Sequence, residues 1–133
     1  NPYLIFKDSA REAMEFYNSV FGGKLTMSTF KEFKVSQDPG EANKIMHASL
    51  EAANGITFMA ADTPKGKAYR PGTNMSMALN GDNEAELTAY FNKLSVGGKI
   101  REQLSKAPWG DTFGMFTDKF GIEWLVNIAG KKV

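Results

Sequence analysis

Four residues, Gly22-Gly23-Lys24-Leu25, return almost unchanged 75 positions later as Gly97-Gly98-Lys99-Ile100. At the same offset Leu4 meets Leu79, Ala10 meets Ala85 and Phe16 meets Phe91. Further on, Gly55 matches Gly121 at an offset of 66, which also pairs Leu50 with Phe116 and Phe58 with Trp124. The change of offset falls in loops, where a few extra residues cost little closure entropy. An internal repeat of this length means that one supersecondary unit has been used twice. The fold must therefore be built from two similar halves.

The unit can be read from its signals. Tyr3–Lys7 has the pattern of a short strand. Ser9-Ala10-Arg11-Glu12 carries the Ser-x-x-Glu cap that opens a helix. Ala10, Ala13, Met14, Tyr17, Val20 and Phe21 keep helical spacing on one face. Gly22-Gly23 ends the helix, one glycine supplying a left-handed cap. Lys24–Phe30 is the second strand, and the polar stretch from Lys31 to Lys44, with its Asp38-Pro39-Gly40 turn signal, is a long loop. Ile45–Ala53 and Ile56–Ala61 form a hairpin at Asn54-Gly55.

The pattern then restarts. Met75–Asn80 is a strand, Asn83 caps a helix carrying Leu87, Tyr90, Phe91 and Leu94, and Gly97-Gly98 leads into the strand Lys99–Leu104. Thr112–Thr117 and Ile122–Ile128 make the closing hairpin, turning at Asp118-Lys119-Phe120-Gly121. The fold class is α+β: two βαβββ modules forming a curved mixed sheet around a concave pocket. The single domain 1–133 divides into module 1 at about 1–62, a crossover at about 62–73, and module 2 at about 74–133.

Period-2 alternation assigns faces. Leu4, Leu50, Phe58, Leu79, Phe116 and Trp124 are expected beneath the helices. Tyr3, His47, Ser49, Glu51, Thr57, Met59, Asn74, Ser76, Ala78, Asn80, Thr117, Glu123, Leu125 and Asn127 are expected to face the concavity. Met14, Met46, Met75 and Met77 read as core filling.

Composition narrows the function. A net charge of +1 argues against nucleic acid as a partner. The absence of cysteine excludes disulfides, thiolate zinc sites and a cysteine nucleophile. No apolar run reaches the roughly 20 residues of a membrane span, and no signal peptide is visible, so a cytoplasmic protein is expected.

Candidate chemistry is sparse. His47 is the only histidine and the candidate catalytic residue, as a general base or a donor to a ligand. Glu51 shares its predicted face but lies about 13 Å along the strand, so Ser49 is the nearer neighbour. The bland alternative is a partly buried, hydrogen-bonded histidine, and it is preferred. Trp109-Gly110-Asp111 is either a rim that stacks on a flat ligand, or an aromatic plug for the loop or a dimer contact. Glu123 and Asp111 are a conceivable acid/base pair at an unfixed distance. Lys65, Lys67 and Arg70 could hold an anionic substrate over the concave pocket, although a solvated linker is the preferred reading. The expected ligand contacts are Tyr3, Ser49, Glu51, Met59, Asn74, Ser76, Trp109, Asp111, Glu123, Leu125 and Asn127.

Paired βαβββ modules resemble the vicinal oxygen chelate superfamily of glyoxalases, bleomycin-resistance proteins and extradiol dioxygenases. The resemblance is sharper to its PhnB-like group, also labelled 3-demethylubiquinone-methyltransferase-like. It is carried by Pro2-Tyr3-Leu4-Ile5-Phe6, Ala10 to Tyr17, Phe21-Gly22-Gly23, Ile45-Met46-His47-Ala48, Trp109-Gly110-Asp111, Phe113-Gly114-Met115, and Thr117 to Gly121 with Trp124 and Asn127. Enzymes of the superfamily hold a divalent metal with four side chains, usually His, Gln or Glu, on the first and last strands of each module. The resemblance places those positions at Leu125, Met59, Ser76, and Pro2 or Tyr3. Leu125, Met59 and Ser76 are poor ligands for a divalent ion. No metal and no cofactor are therefore expected. The glycine-rich turn and doubly wound sheet of an adenosyl-type methyltransferase are absent, which argues against that activity. The resemblance implies a small-molecule ligand and a homodimer. The leading reading is a metal-independent binding protein. The alternatives are a lyase, isomerase or dioxygenase with an altered metal site, and a drug-sequestering resistance protein without catalysis.

Overall fold

The computed structural model describes residues 1–33 and 39–130. The chain forms two compact units, Asn1–Pro71 and Gly72–Val133. In the first, β1 (Tyr3–Phe6) leads to α1 (Ala10–Phe21), β2 (Gly23–Thr29), a single helical turn α2 (Phe30–Phe33), and the hairpin β3 (Ile45–Ala52) and β4 (Thr57–Asp62). The second repeats this with β5 (Met77–Gly81), α3 (Glu84–Leu94), β6 (Lys99–Lys106), β7 (Thr112–Thr117) and β8 (Glu123–Ile128). Strand orders are β1-β4-β3-β2 and β5-β8-β7-β6. The first and last strands of each unit pair in parallel, and the other pairs are antiparallel. The architecture is thus α+β with two βαβββ modules.

A glycine at the start of the second strand of each module makes a close backbone approach. A Cβ on Gly23 would collide with the Glu51 carbonyl, and one on Gly98 would collide with the Thr117 carbonyl. These glycines are aligned at the offset of 75, and the carbonyls they meet are aligned at 66. Gly22 carries a positive φ of 71°, but its ψ of 165° lies outside the left-handed helical basin.

Each core lies between one helix and one sheet face. Phe58 is buried under α1 with Tyr17 and Phe21 edge-on at 5.4 and 6.2 Å. In the second unit Phe116 lies edge-on to Phe91 at 5.0 Å and stacks on Trp124 at 6.3 Å. Leu50, Phe58, Leu79, Phe116 and Trp124 are buried as the alternation predicts. Leu4, on an edge strand, is only half-buried.

Several expectations are corrected. Ser9 precedes α1 but makes no side-chain cap hydrogen bond. Instead the Asp62 carboxylate, from the end of β4, accepts from the Ala10 N–H at 2.9 Å. The helices do not follow the strands' offset. Phe16 is half-buried and Ala85 exposed, whereas Tyr17 and Phe91 are both buried. The helix registers therefore match at 74 rather than 75. The extra residue sits before α1, where Asp8 adopts φ 67°, the only positive φ at a non-glycine among the described residues. β2 ends at Thr29, because the Thr29 hydroxyl accepts from the Glu32 N–H at 3.3 Å and turns the chain into α2, burying Phe30. Asp38 of the expected turn lies outside the described residues, while Pro39–Glu41 forms a 3-10 turn. β5 starts at Met77, so Asn74, Met75 and Ser76 precede it, and Met75 is 79% exposed rather than core.

Candidate functional site

In each unit the candidate site residues lie on the sheet face turned away from that unit's helix. In the first unit the register sets Tyr3 level with Met59, Met59 level with Ser49, and Ser49 level with Thr26. His47 is level with Ser28 in the next row, and Glu51 with Lys24 and Thr57 at the far end. A bulge where β3 meets β2 at Ser28/Thr29 breaks the alternation, so that Ile45 is buried while Met46 and His47 are both half-exposed.

His47 has a partner that strand periodicity could not supply. The Tyr3 hydroxyl lies 3.4 Å from His47 Nδ1, and the two rings are 5.9 Å apart at 44°. The contact reaches across β4, so it depends on sheet order rather than on sequence spacing. A phenol donating to Nδ1 would place the ring's N–H on Nε2. Tyr3 itself is 45% exposed, which leaves the pair open to a ligand.

In the second unit Ala78 is level with Leu125 and Met115, and Asn80 with Asn127 and Phe113. Asn127 Nδ2 donates to Asp111 at 3.1 Å, and the Gly130 N–H donates to the same carboxylate at 2.9 Å. Asp111 thereby ties the start of β7 to the chain leaving β8. At the opposite end Arg101 Nε donates to the Thr117 hydroxyl at 3.1 Å, which donates to Glu123 at 2.8 Å. Glu123 pairs with Thr117 while Asp111 precedes Thr112, so a whole hairpin separates the two carboxylates. That is about 20 Å at the strand rise, and no acid/base pair forms. Trp109 stands 69% exposed on a turn closed by the Gly110 N–H on the Ala107 carbonyl at 2.9 Å. Asn74 and Ser76 are exposed before β5.

The register also sharpens the metal-ligand positions. The residue level with Met59 on the parallel neighbour is Tyr3, and the residue level with Leu125 is Ala78, not Ser76. A phenol, a thioether, a methyl and an isobutyl group are not a donor set for a divalent ion. Among the described residues no three or more His, Cys, Asp or Glu side chains gather as metal ligands. The metal of the fold family does not fit these residues.

Residues 1–126 match the family model described as Glyoxalase/Bleomycin resistance protein/Dioxygenase superfamily. The chain is 30% identical to YjdN of Escherichia coli K12, covering 97% of this chain and 94% of that protein. Its fold superposes on protein PA1353 from Pseudomonas aeruginosa with a TM-score of 0.81 at 37% identity, covering 98% and 96% of the two chains. For the PhnB protein from Bacillus cereus the TM-score is 0.78 at 30% identity, covering 97% and 98%.

Proposed function

The chain belongs to the Glyoxalase/Bleomycin resistance protein/Dioxygenase superfamily, and we propose that it is a PhnB-like, small-molecule-binding protein that works without a divalent metal. The observation that carries this is the donor set at the paired parallel strands: Tyr3 with Met59, and Ala78 with Leu125. Catalytic zinc sites use three protein ligands, and six-coordinate sites need comparable nitrogen and oxygen donors. A thioether and one neutral phenol do not offset dehydration of the ion. Each module would offer its own open sheet face to a ligand: Tyr3, His47, Ser49, Glu51 and Met59 in the first, and Glu123, Leu125 and Asn127 in the second. Trp109 and Asp111 would stand at its rim.

Elemental analysis after metal-free dialysis is expected to find no stoichiometric Zn, Ni, Mn or Fe. Near-stoichiometric metal that disappears in His47→Ala would overturn the reading. It would favour a lyase, isomerase or dioxygenase with an altered site.

An enzymatic role is the second reading, supported by the Tyr3–His47 pair, an acid/base couple held on a ligand-accessible face. Incubation with a bound ligand separates it from sequestration, since a sequestering protein returns the ligand unchanged.

A homodimer accompanies this reading. Among the described residues the outer strands of each sheet have one sheet neighbour only, and Ile5 and Val96 are exposed apolar surface. Two-fold pairing is the commonest way to cover both. Sedimentation at tens of micromolar protein is expected to give twice the chain mass, and a monomer mass there would refute the dimer.

A further inference from the structure

The dipeptide Asn-Gly occurs twice in the chain, at Asn54-Gly55 and at Asn80-Gly81. Glycine has no Cβ to shield its peptide nitrogen, so in an unconstrained chain that nitrogen can attack the side-chain amide of the asparagine before it. Sequence makes the two places equivalent. Exposure does not separate them either, since all four residues are open to solvent. The backbone does. We propose that Asn54 is a site of spontaneous deamidation in the folded protein, and that Asn80 is protected from it.

Asn54 sits at the tip of the β3–β4 hairpin. The Gly55 N–H donates to the Ala52 carbonyl at 3.1 Å, and the Ala52 N–H donates to the Ile56 carbonyl at 2.8 Å. Gly55 takes a φ of 86°, which makes the loop a turn followed by a left-handed glycine. The Asn54 side chain folds back over it, and its Oδ1 accepts from the Ile56 N–H at 3.3 Å. An Asx turn of this kind lays the side-chain amide along the Gly55 peptide that it spans. It also aims an N–H at the oxygen on which negative charge grows during attack at Cγ, the arrangement that favours acyl transfer in general. The Gly55 nitrogen is restrained by its bond to Ala52, at an exposed hairpin tip where local opening costs little.

Asn80-Gly81 is held differently. It lies within β5, level with Asn127 and Ile128 of β8. The Gly81 carbonyl accepts from the Ala129 N–H at 2.7 Å, and Leu79, just before the pair, is buried. In a strand the side chain stands roughly perpendicular to the sheet, while the next peptide nitrogen lies in the ladder. Attack at Asn80 therefore requires β5 to leave β8.

The chemistry needs only water and hydroxide. Hydroxide takes the Gly55 N–H proton, and the nitrogen forms a bond to Asn54 Cγ. The Cγ–Nδ2 bond breaks, and ammonia leaves with a proton from solvent, giving a succinimide. Water opens that ring at either carbonyl, to aspartate or to its β-linked isomer. The net change is amide plus water to acid plus ammonia, with no oxidation or reduction. One negative charge is gained, which takes the formal net charge from +1 to 0, where association between copies is favoured. The two products act differently on the turn. Aspartate keeps an oxygen for the Ile56 N–H. The β-linkage adds a methylene to the main chain between Ala52 and Ile56, at the end of the sheet where Glu51 is level with Thr57.

The test is incubation of the folded, full chain at mildly alkaline pH, with peptide mapping by mass spectrometry over time. Amide-to-acid conversion is expected at Asn54 about tenfold or more faster than at Asn80, at a rate that rises in proportion to hydroxide. Electron-transfer fragmentation should find β-linked aspartate beside aspartate at position 54. In concentrated urea the two sites should converge, through acceleration at Asn80. Gly55→Ala should slow conversion at Asn54 by about tenfold or more, because a Cβ shields the attacking nitrogen. That variant strains a left-handed position, so Asn54→Gln serves as the second. Its longer side chain must close a larger ring, and it should remove the early mass gain while Asn80 behaves as in the wild type. Asn80 converting as fast as Asn54 in the folded protein would overturn the proposal. So would conversion at Asn54 in urea with none in the folded protein over the same interval. Aspartate at position 54 with no β-linked isomer would exclude the succinimide and overturn it as well.

Discussion

Trp124→Ala is expected to lower the unfolding free energy by about 3–5 kcal/mol, the range for truncating a buried aromatic. The ring is 1% exposed and stacks on Phe116 with an interplanar angle of 8°. Its indole N–H donates to Asp118 at 2.9 Å. Asp118 is itself 3% exposed and accepts from the Phe120 and Ile122 N–H groups as well. The substitution therefore opens a cavity and takes one donor from a buried carboxylate that holds the β7–β8 turn. Trp124→Phe separates the two effects. It keeps most of the packing and loses only the hydrogen bond, which should cost about 1–3 kcal/mol. Urea melts of both variants measure this. A Trp124→Ala protein as stable as wild type would mean that the ring contributes nothing to this core.

Asp62→Ala should be the next most damaging change, at about 2–5 kcal/mol. Asp62 is 6% exposed and spends its two oxygens on two different elements. Oδ1 accepts from the first N–H of α1 and Oδ2 from the Ile45 N–H at the start of β3, both at 2.9 Å. Alanine leaves both donors buried and unmet, each costing about 1–3 kcal/mol, and removes a negative charge from a helix N-terminus. Asp62→Asn keeps one acceptor oxygen but turns a donor toward the other N–H, so it should recover only part of the loss. If denaturant unfolding placed Asp62→Ala within about 0.5 kcal/mol of wild type, the surface-substitution range, the clasp would be energetically idle.

Much of the fold is legible because strand alternation and the repeat reinforce each other. The burial of Trp124, Val126 and Ile128 against the half-exposure of Glu123, Leu125 and Asn127 follows from period 2 alone. What resisted reading depends on contacts distant in sequence or on single-residue irregularities. Ser9 carries the local pattern of a cap, but Asp62, 52 positions on, makes the bond. The bulge beside Ile45 and the left-handed Asp8 each add one residue, and neither leaves a compositional trace. The Tyr3–His47 contact requires knowing that β4 lies between β1 and β3. Glu41 sits in a polar stretch that reads as solvated loop, yet it is among the most buried charged residues described.

The parallel pairing of first and last strands has a consequence for synthesis on the ribosome. β1 is made first, but its only sheet neighbour among the described residues is β4, and Tyr3 must wait for Met59 before that ladder can form. The interval is more than fifty residues of chain, and contacts of such separation form late because loop closure must precede them. Until Asp62 emerges, α1 also lacks its cap and β3 lacks its anchor. Asp62, at the end of β4, thus joins the start of α1 to the start of β3 only once the last strand of the N-terminal half is complete. The second half repeats the delay from Ala78 to Leu125 without an equivalent clasp, since the position aligned with Asp62 is Ile128.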